Sequence, residues 1–325
     1  MSAQFRFDMK SKLSLFDTHC DTAYELYHRG VGLVHNSVCH VALDRADCYE
    51  RYAQYYAVWS DRRLDDESCW NQFSKILAYF KEELAENAHR AMQITTSSDL
   101  EEALNAGKHA AILAVEDARL LNRNPERIWE LRDCGVRYLT LLWGGDTCIG
   151  GSHDTQNGLT DFGRSVVRGC FDCGIIPDVS HASEQSAEDA LSIAYAHGRP
   201  VIASHSNSYA VYPHTRNLRD RHFLAIRELG GIVGISLCPA HLADASLSPV
   251  GVEDIFRHVE HYLALGGEDT VCFGADWDGT DLPPDIAHVG QLTKVADFMV
   301  AHNYSDELIE KLFWSNAYRF SMNNL

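Results

Sequence analysis

A repeating alternation constrains this chain more than any other feature. A short apolar run of β type is followed by a longer stretch of helical periodicity, and the pattern returns eight times. The runs cover 13–18, 54–60, 110–116, 136–143, 174–180, 200–205, 231–238 and 270–276. Most are apolar without alternation, which fits parallel strands covered on both faces. Between them, 70–90, 124–134, 160–172, 184–197, 220–229 and 252–265 repeat apolar residues at three- and four-residue intervals, which predicts helices. Gly135, Gly174, Gly198 and Gly230 stand where such helices would end in a left-handed cap. Eight strand–helix units predict an α/β fold of the (β/α)8 TIM-barrel type. The doubly wound open sheet is the alternative, but no glycine-rich phosphate loop follows the first run. The tail after Lys294 predicts one or two additional C-terminal helices, while 27–52 carries no clear pattern. No linker or fixed-period repeat divides the chain, so residues 1–325 read as one domain.

Charge narrows the partners. Lys and Arg number 28 against 46 Asp and Glu, a formal charge of -18 that repels phosphate backbones and anionic lipid. Neither nucleic acid nor a membrane surface is expected as a partner. No apolar run reaches the roughly 18 residues of a membrane-spanning helix. Residues 1–12 lack the apolar core and cleavage site of a signal peptide. Ten scattered cysteines suit free thiols in a reducing compartment, and the expected location is the cytoplasm.

The polar residues carry the functional signal. The first run leads into Asp17-Thr18-His19-Cys20-Asp21, the third ends in Glu116-Asp117, and the fifth leads into Ser180-His181. The sixth ends in Ser204-His205 and the eighth in Ala275-Asp276. Singly, each has an ordinary structural explanation: a capping Asp, a buried carboxylate paired with Arg, a hydrogen-bonded histidine. Together they put metal-capable side chains at the carboxyl ends of five strands, which converge on one face of a barrel. Three histidines, two aspartates and a glutamate exceed what one ion with an open position needs. They suffice for two ions about 3.5–4 Å apart. The donor set suits Zn²⁺, and also Mn²⁺, Co²⁺ or Fe²⁺. Competing motifs are weaker. Cys170 and Cys173 have no second pair, His258 and His261 do not form a zincin pattern and read as a solvated helix face, and Asp65-Asp66-Glu67 reads as solvated surface. No Gly-x-Ser-x-Gly elbow is present.

These residues resemble the membrane (renal) dipeptidase family, peptidase family M19, a branch of the amidohydrolase superfamily built on a (β/α)8 barrel with two zinc ions. The likeness runs from Phe16 to the helical tail. It rests on Asp17-Thr18-His19-Cys20-Asp21, Val115-Glu116, Gly158-Leu159-Thr160-Asp161-Phe162-Gly163 and Asp178-Val179-Ser180-His181. It continues through Ser204-His205-Ser206, Thr215-Arg216-Asn217 and Phe273-Gly274-Ala275-Asp276-Trp277-Asp278-Gly279. The resemblance implies a zinc-dependent dipeptidase. His19 and Asp21 would hold one metal, His181 and His205 the other, and Glu116 would bridge them. Asp276 would handle the proton of the attacking water, and Arg216 would grip the terminal carboxylate of a dipeptide. Relatives imply a homodimer. One departure concerns carbonyl polarisation: Trp143 stands where the family commonly has a histidine. Indole donates one hydrogen bond but exchanges no proton at neutral pH. His153, ten residues later, lies on a loop within possible reach of the substrate. The alternatives are hydrolysis of a lactam, lactone or N-acyl amino acid on the same metals, or a non-catalytic metal-binding homologue.

Overall fold

The computed structural model describes residues 13–325; residues 1–12, read above for a leader segment, lie outside them. Eight strands form: β1 (Leu15–Cys20), β2 (Tyr52–Trp59), β3 (Ala91–Ile94), β4 (His109–Glu116), β5 (Val136–Thr140), β6 (Ile176–Asp178), β7 (Val233–Ile235) and β8 (Val271–Phe273). All pairings between these eight strands are parallel. The order is β6-β5-β4-β2-β1-β8-β7, a curled path of seven strands, with β3 beside the start of β4. Seven of the expected runs are therefore strands of the curled path. The run at 200–205 instead makes single bridges, Asp178↔Ile202 on one side and Ala203↔Val233 on the other. β3 is an addition to the expected set. Its four residues, two of them only half-buried, are too short to register as a periodic run.

Strand alternation builds two apolar layers. Ala53, Tyr55 and Ala57 of β2 pair with Ala110, Ile112 and Ala114 of β4 and share the inner cluster. Their neighbours Tyr52, Tyr56, Val58, Ala111, Leu113 and Val115 join the outer cluster. That outer layer meets the helices Asp66–Glu86, Glu126–Cys134, Asp161–Cys173, Glu184–His197, Asp220–Glu228 and Val252–Ala264. The first of these starts four residues before its apolar period because Asp65 caps it, accepting from the Ser68 backbone N–H at 2.7 Å. Asp66 and Glu67 pair with Arg119 (3.4 Å) and Arg127 (2.6 Å), so this largely exposed acidic stretch also serves as a helix start. At the other end of that layer pattern, Gly135 adopts φ 103° and Gly174 φ 76°, left-handed values at which a side chain is strained.

The tail forms Thr293–Ala301, then Asp306–Glu310, which runs through a π-turn at Lys311–Ser315 into Asn316–Asn324. It closes the end of the inner cluster remote from the strands' carboxyl ends. Trp314 packs on Phe16 with ring centroids 5.6 Å apart, and Asn316 donates to the carbonyls of Glu268 and Val271 at 2.8 Å each. His258 corrects the solvated-face reading. It is fully buried, accepts from the Ser208 N–H at 3.0 Å and donates to the Leu242 carbonyl at 2.9 Å. His261 pairs with Asp220 at 2.8 Å. Cys170 and Cys173 are buried free thiols. No described helix is long and apolar enough to cross a membrane.

Candidate metal centre

The site lies at the carboxyl ends of the strands, and local backbone irregularities aim its side chains. On β1, Phe16 faces the inner cluster and Cys20 the outer one. Strict alternation between them would turn His19 outward. A register shift between Asp17 and Cys20 inserts the extra residue that turns His19 inward. Asp17 holds this bend. Its buried carboxylate accepts from the backbone N–H groups of His19 and Ala275, both at 3.0 Å, from Gln54 at 2.9 Å and from the Trp277 indole at 3.2 Å. Glu116 needs no such device, because it continues the inward series of Ala110, Ile112 and Ala114. His181 and Asp276 adopt left-handed backbone, φ 66° and 65°, an uncommon conformation that clusters at functional sites.

All five expected metal ligands converge. His181 Nε2 and His205 Nε2 lie 3.0 and 3.3 Å from Glu116 Oε1. His19 Nε2 lies 3.8 Å from Glu116 Oε2, 3.6 Å from Asp21 and 3.8 Å from Asp276. The two carboxylate oxygens of Glu116 thus face different histidines. His19, Glu116 and His205 form one group able to hold an ion; His19, Asp21 and Asp276 form a second.

Hydrogen bonds decide which nitrogen of each ring is free. Tyr138 donates its hydroxyl proton to the Thr18 carbonyl at 3.0 Å, so toward His19 Nδ1, 2.8 Å away, it acts as acceptor. Ser204 donates to Asp178 at 2.5 Å and therefore accepts from His205 Nδ1 at 2.7 Å. His181 Nδ1 can only donate to the Trp143 carbonyl at 3.0 Å. Every Nδ1 carries a proton, so each ring, when neutral, presents the lone pair of its Nε2 to the centre. Two such lone pairs, on His181 and His205, stand 3.0 Å apart. His19 Nε2 and Asp21 Oδ1 are buried with no hydrogen-bond partner. Facing lone pairs and unpartnered buried acceptors fit divalent cations, and outer partners that fix ring orientation are usual around metal ligands.

Electrostatics separate His19 from the other two rings. Burial opposes charging of His19, but Glu116, Asp21 and Asp276 outweigh it and raise its pKa to about 10. Burial, then the charge of Asp21, pushes Glu116 well above the usual carboxylate range, and burial lifts Asp276 to about 6. Burial holds His181 and His205 well below the ordinary imidazole value. Without a cation His19 is the ring that takes up a proton, on the Nε2 that a cation would otherwise meet, while the other two rings stay neutral.

The remaining expected residues ring this centre. Arg216 is buried, donating to Ser206 Oγ at 3.2 Å and to the His205 carbonyl at 3.0 Å, while its Nε finds no partner. Trp143 lies against the His181 ring, centroids 6.0 Å apart. His153 sits edge-on to His181 at 5.6 Å, and burial with the nearby Arg216 charge lowers its pKa to about 4. Sequence reasoning assigned no role to Asp17, Tyr138 and Asp178, whose roles appear only through their partners. Asp178 accepts from Thr140, Ser204 Oγ and the backbone N–H groups of Ser180 and Ser204 at 2.5–2.9 Å. Replacing it with alanine leaves these buried donors unsatisfied and is expected to cost about 3 kcal/mol. Urea midpoints check this; a loss under about 1 kcal/mol would mean that water or another acceptor takes over.

The profile of the family described as membrane dipeptidase (peptidase family M19) matches residues 4–323. An uncharacterised protein encoded in the pqqA 5' region of Klebsiella pneumoniae is 30% identical over 264 residues, 78% of this chain and 95% of that one. The dipeptidase tcpJ of Claviceps purpurea is 31% identical over 241 residues, 72% of this chain but 54% of that one. A crystal structure of dipeptidase AC, an M19 metallopeptidase, superposes with TM-score 0.89 at 26% identity, covering 97% of this chain and 99% of that one. A metallopeptidase from Rhodobacter sphaeroides, crystallised with a phosphinate mimic of the dipeptide L-Ala-D-Ala, gives TM-score 0.89 at 25% identity, covering 97% and 100%. With a family match over nearly the whole length and a cation-seeking centre at the strand ends, the chain belongs to the membrane dipeptidase family, M19.

Proposed function

We propose that this metal-dependent dipeptidase works with two divalent ions, most simply Zn²⁺, one held by His19 and Asp21, the other by His181 and His205, with Glu116 shared. The observation that carries the reading is the convergence of three free Nε2 atoms on the two oxygens of one buried glutamate. When bound, such ions supply Lewis acidity toward a carbonyl oxygen and make a water nucleophilic near neutral pH. Asp276, buried beside His19, accepts the proton of the attacking water and returns it to the leaving amine. Its pKa of about 6 without metal reflects burial among other carboxylates. Arg216 binds the terminal carboxylate. Its buried guanidinium has an unpartnered Nε, and its planar fork matches a carboxylate. A substrate without a carboxylate would leave that arginine unused. Trp143 and His153 line the substrate space. Trp143 keeps His181 oriented through its backbone carbonyl, so its indole remains available to the substrate.

The same reading takes 1–325 as one domain and the curled sheet as a closed (β/α)8 barrel, with the bridged stretch 201–204 as the eighth member between β6 and β7. Ten cysteines scattered along the chain support a cytoplasmic location, and family resemblance supports a homodimer. The R. sphaeroides relative bound a mimic of L-Ala-D-Ala, which puts L,D-dipeptides beside L,L-dipeptides as proposed substrates. The test is metal content with turnover. Two ions per chain are expected in active protein; chelation abolishes dipeptide hydrolysis and Zn²⁺ restores it. Full activity at one ion per chain would sink the two-ion reading.

A further inference from the structure

The wall of the centre remote from Arg216 carries an arginine of its own. β2 ends in Trp59, which pairs in register with Glu116 of β4. Trp59 stands beside the ligand glutamate and packs edge-on to Tyr24 of the outer cluster, ring centroids 5.4 Å apart. Its ring meets Trp143 at 5.1 Å, and its buried Nε1 has no hydrogen-bond partner. Three residues on, exposed Arg62 holds its guanidinium over the Trp143 ring, 5.7 Å from the centroid. Arg62 lines a cleft of about 410 Å³ that runs along Asp117 and Gly144, the chain neighbours of Glu116 and Trp143. The carboxylates of that cleft are engaged elsewhere. Asp117 and Asp66 pair with Arg119 at 3.2 and 3.4 Å, and Asp146 accepts from Asn157 at 2.9 Å. Among the described residues, Arg62 has only the Trp143 ring as partner. In a chain of charge -18, a cation without a carboxylate, held over the indole that lies against His181, is placed to meet an external anion.

Position says which part of the substrate supplies it. Counted along the strand order, β2 and the bridged stretch 201–204 are four places apart in either direction. The loops bearing Arg62 and Arg216 therefore stand across the strand ends from each other. A dipeptide anchored at Arg216 by its carboxylate, with its peptide bond at the metal centre, places its N-terminal residue against Trp59, Trp143 and Arg62. We propose that Arg62 selects dipeptides whose N-terminal residue carries a carboxylate side chain, aspartate or glutamate. This rests on the dipeptidase reading with Arg216 as anchor. The two indoles cover the aliphatic stem, and the guanidinium meets the carboxylate in a charge-assisted pair.

The test compares kcat/KM for Glu-Ala and Gln-Ala, which differ only in side-chain charge, in wild type and in Arg62→Ala and Arg62→Glu. Wild type is expected to prefer Glu-Ala by about three- to tenfold, the range for a partly solvated charge pair. Arg62→Ala should bring the ratio near one and Arg62→Glu should invert it. Because each ratio is taken within one protein, losses of stability or general activity cancel. The mirrored pair Ala-Glu and Ala-Gln is expected to keep its ratio in Arg62→Ala, since that side chain lies toward Arg216. A wild-type Glu-Ala preference absent, or retained in Arg62→Ala, overturns the inference. So does an Ala-Glu ratio that falls as far as the Glu-Ala ratio, which would make Arg62 a general attractor. Ala-Ala turnover by wild type separates the two levels: present with no charge preference, it leaves the dipeptidase standing and removes the subsite; absent, it removes both.

Discussion

Glu116→Ala is expected to empty both cation positions and to lower kcat/KM by well over a hundredfold, whereas His205→Ala should empty mainly one. The reason is the placement of the carboxylate. Its Oε1 stands 3.0 Å from His181 and 3.3 Å from His205, while Oε2 faces His19 at 3.8 Å. A group shared by two ions leaves both under-coordinated when removed, but a terminal imidazole belongs to one. The size follows because losing even an outer partner of a metal ligand typically costs about 10- to 100-fold. Elemental analysis after dialysis, together with dipeptide turnover, checks the result. Equal occupancy loss in the two variants would argue against a shared glutamate. Glu116→Gln adds a control: it keeps the shape and removes the charge, so retention of both ions in that variant would mean that position matters more than charge.

The second large effect concerns substrate recognition. Arg216→Met is expected to lose activity on free dipeptides far more than on their C-terminal amides. The side chain is buried, its pKa is lowered by burial against the pull of Asp276 and Glu116, and its Nε has no partner. A desolvated charge-assisted pair carries about 1.5–3 kcal/mol, roughly ten- to hundredfold in kcat/KM. Wild type should prefer the acid over the amide by that factor, and the variant should nearly lose the preference. Metal content should stay the same, because arginine is not a ligand. A variant that keeps the full preference would show that the carboxylate is held elsewhere.

Much of this was legible in the chain itself. Seven of the eight apolar runs became strands of the curled path because strands buried on both faces must be apolar throughout, a pattern that survives without any tertiary information. Ligand candidates were legible because metal-binding side chains stood at the same end of each run, and all five proposed ligands meet. The resemblance to the M19 family rested on those same residues, and the family match extends it over residues 4–323.

Local signals failed where partners lie far away in sequence. β3 and the bridged stretch 201–204 depend on neighbours, not on a period of their own. His258 reads as surface on its helix, yet its ring is buried between the Ser208 N–H and the Leu242 carbonyl. Above all, sequence alone could not aim His19. Counting alternate residues from Phe16 points it outward, and only the register shift between β1 and β2, held by Asp17 across to Ala275 and Trp277, turns it in. Nor could sequence choose the ring nitrogens. Tyr138 lies 119 residues from His19, and Asp178 acts on His205 through Ser204. The types of residue and their order along the chain determined the chemistry available. Which atoms face one another was decided by tertiary structure, because a proton on an imidazole goes where a distant acceptor waits for it.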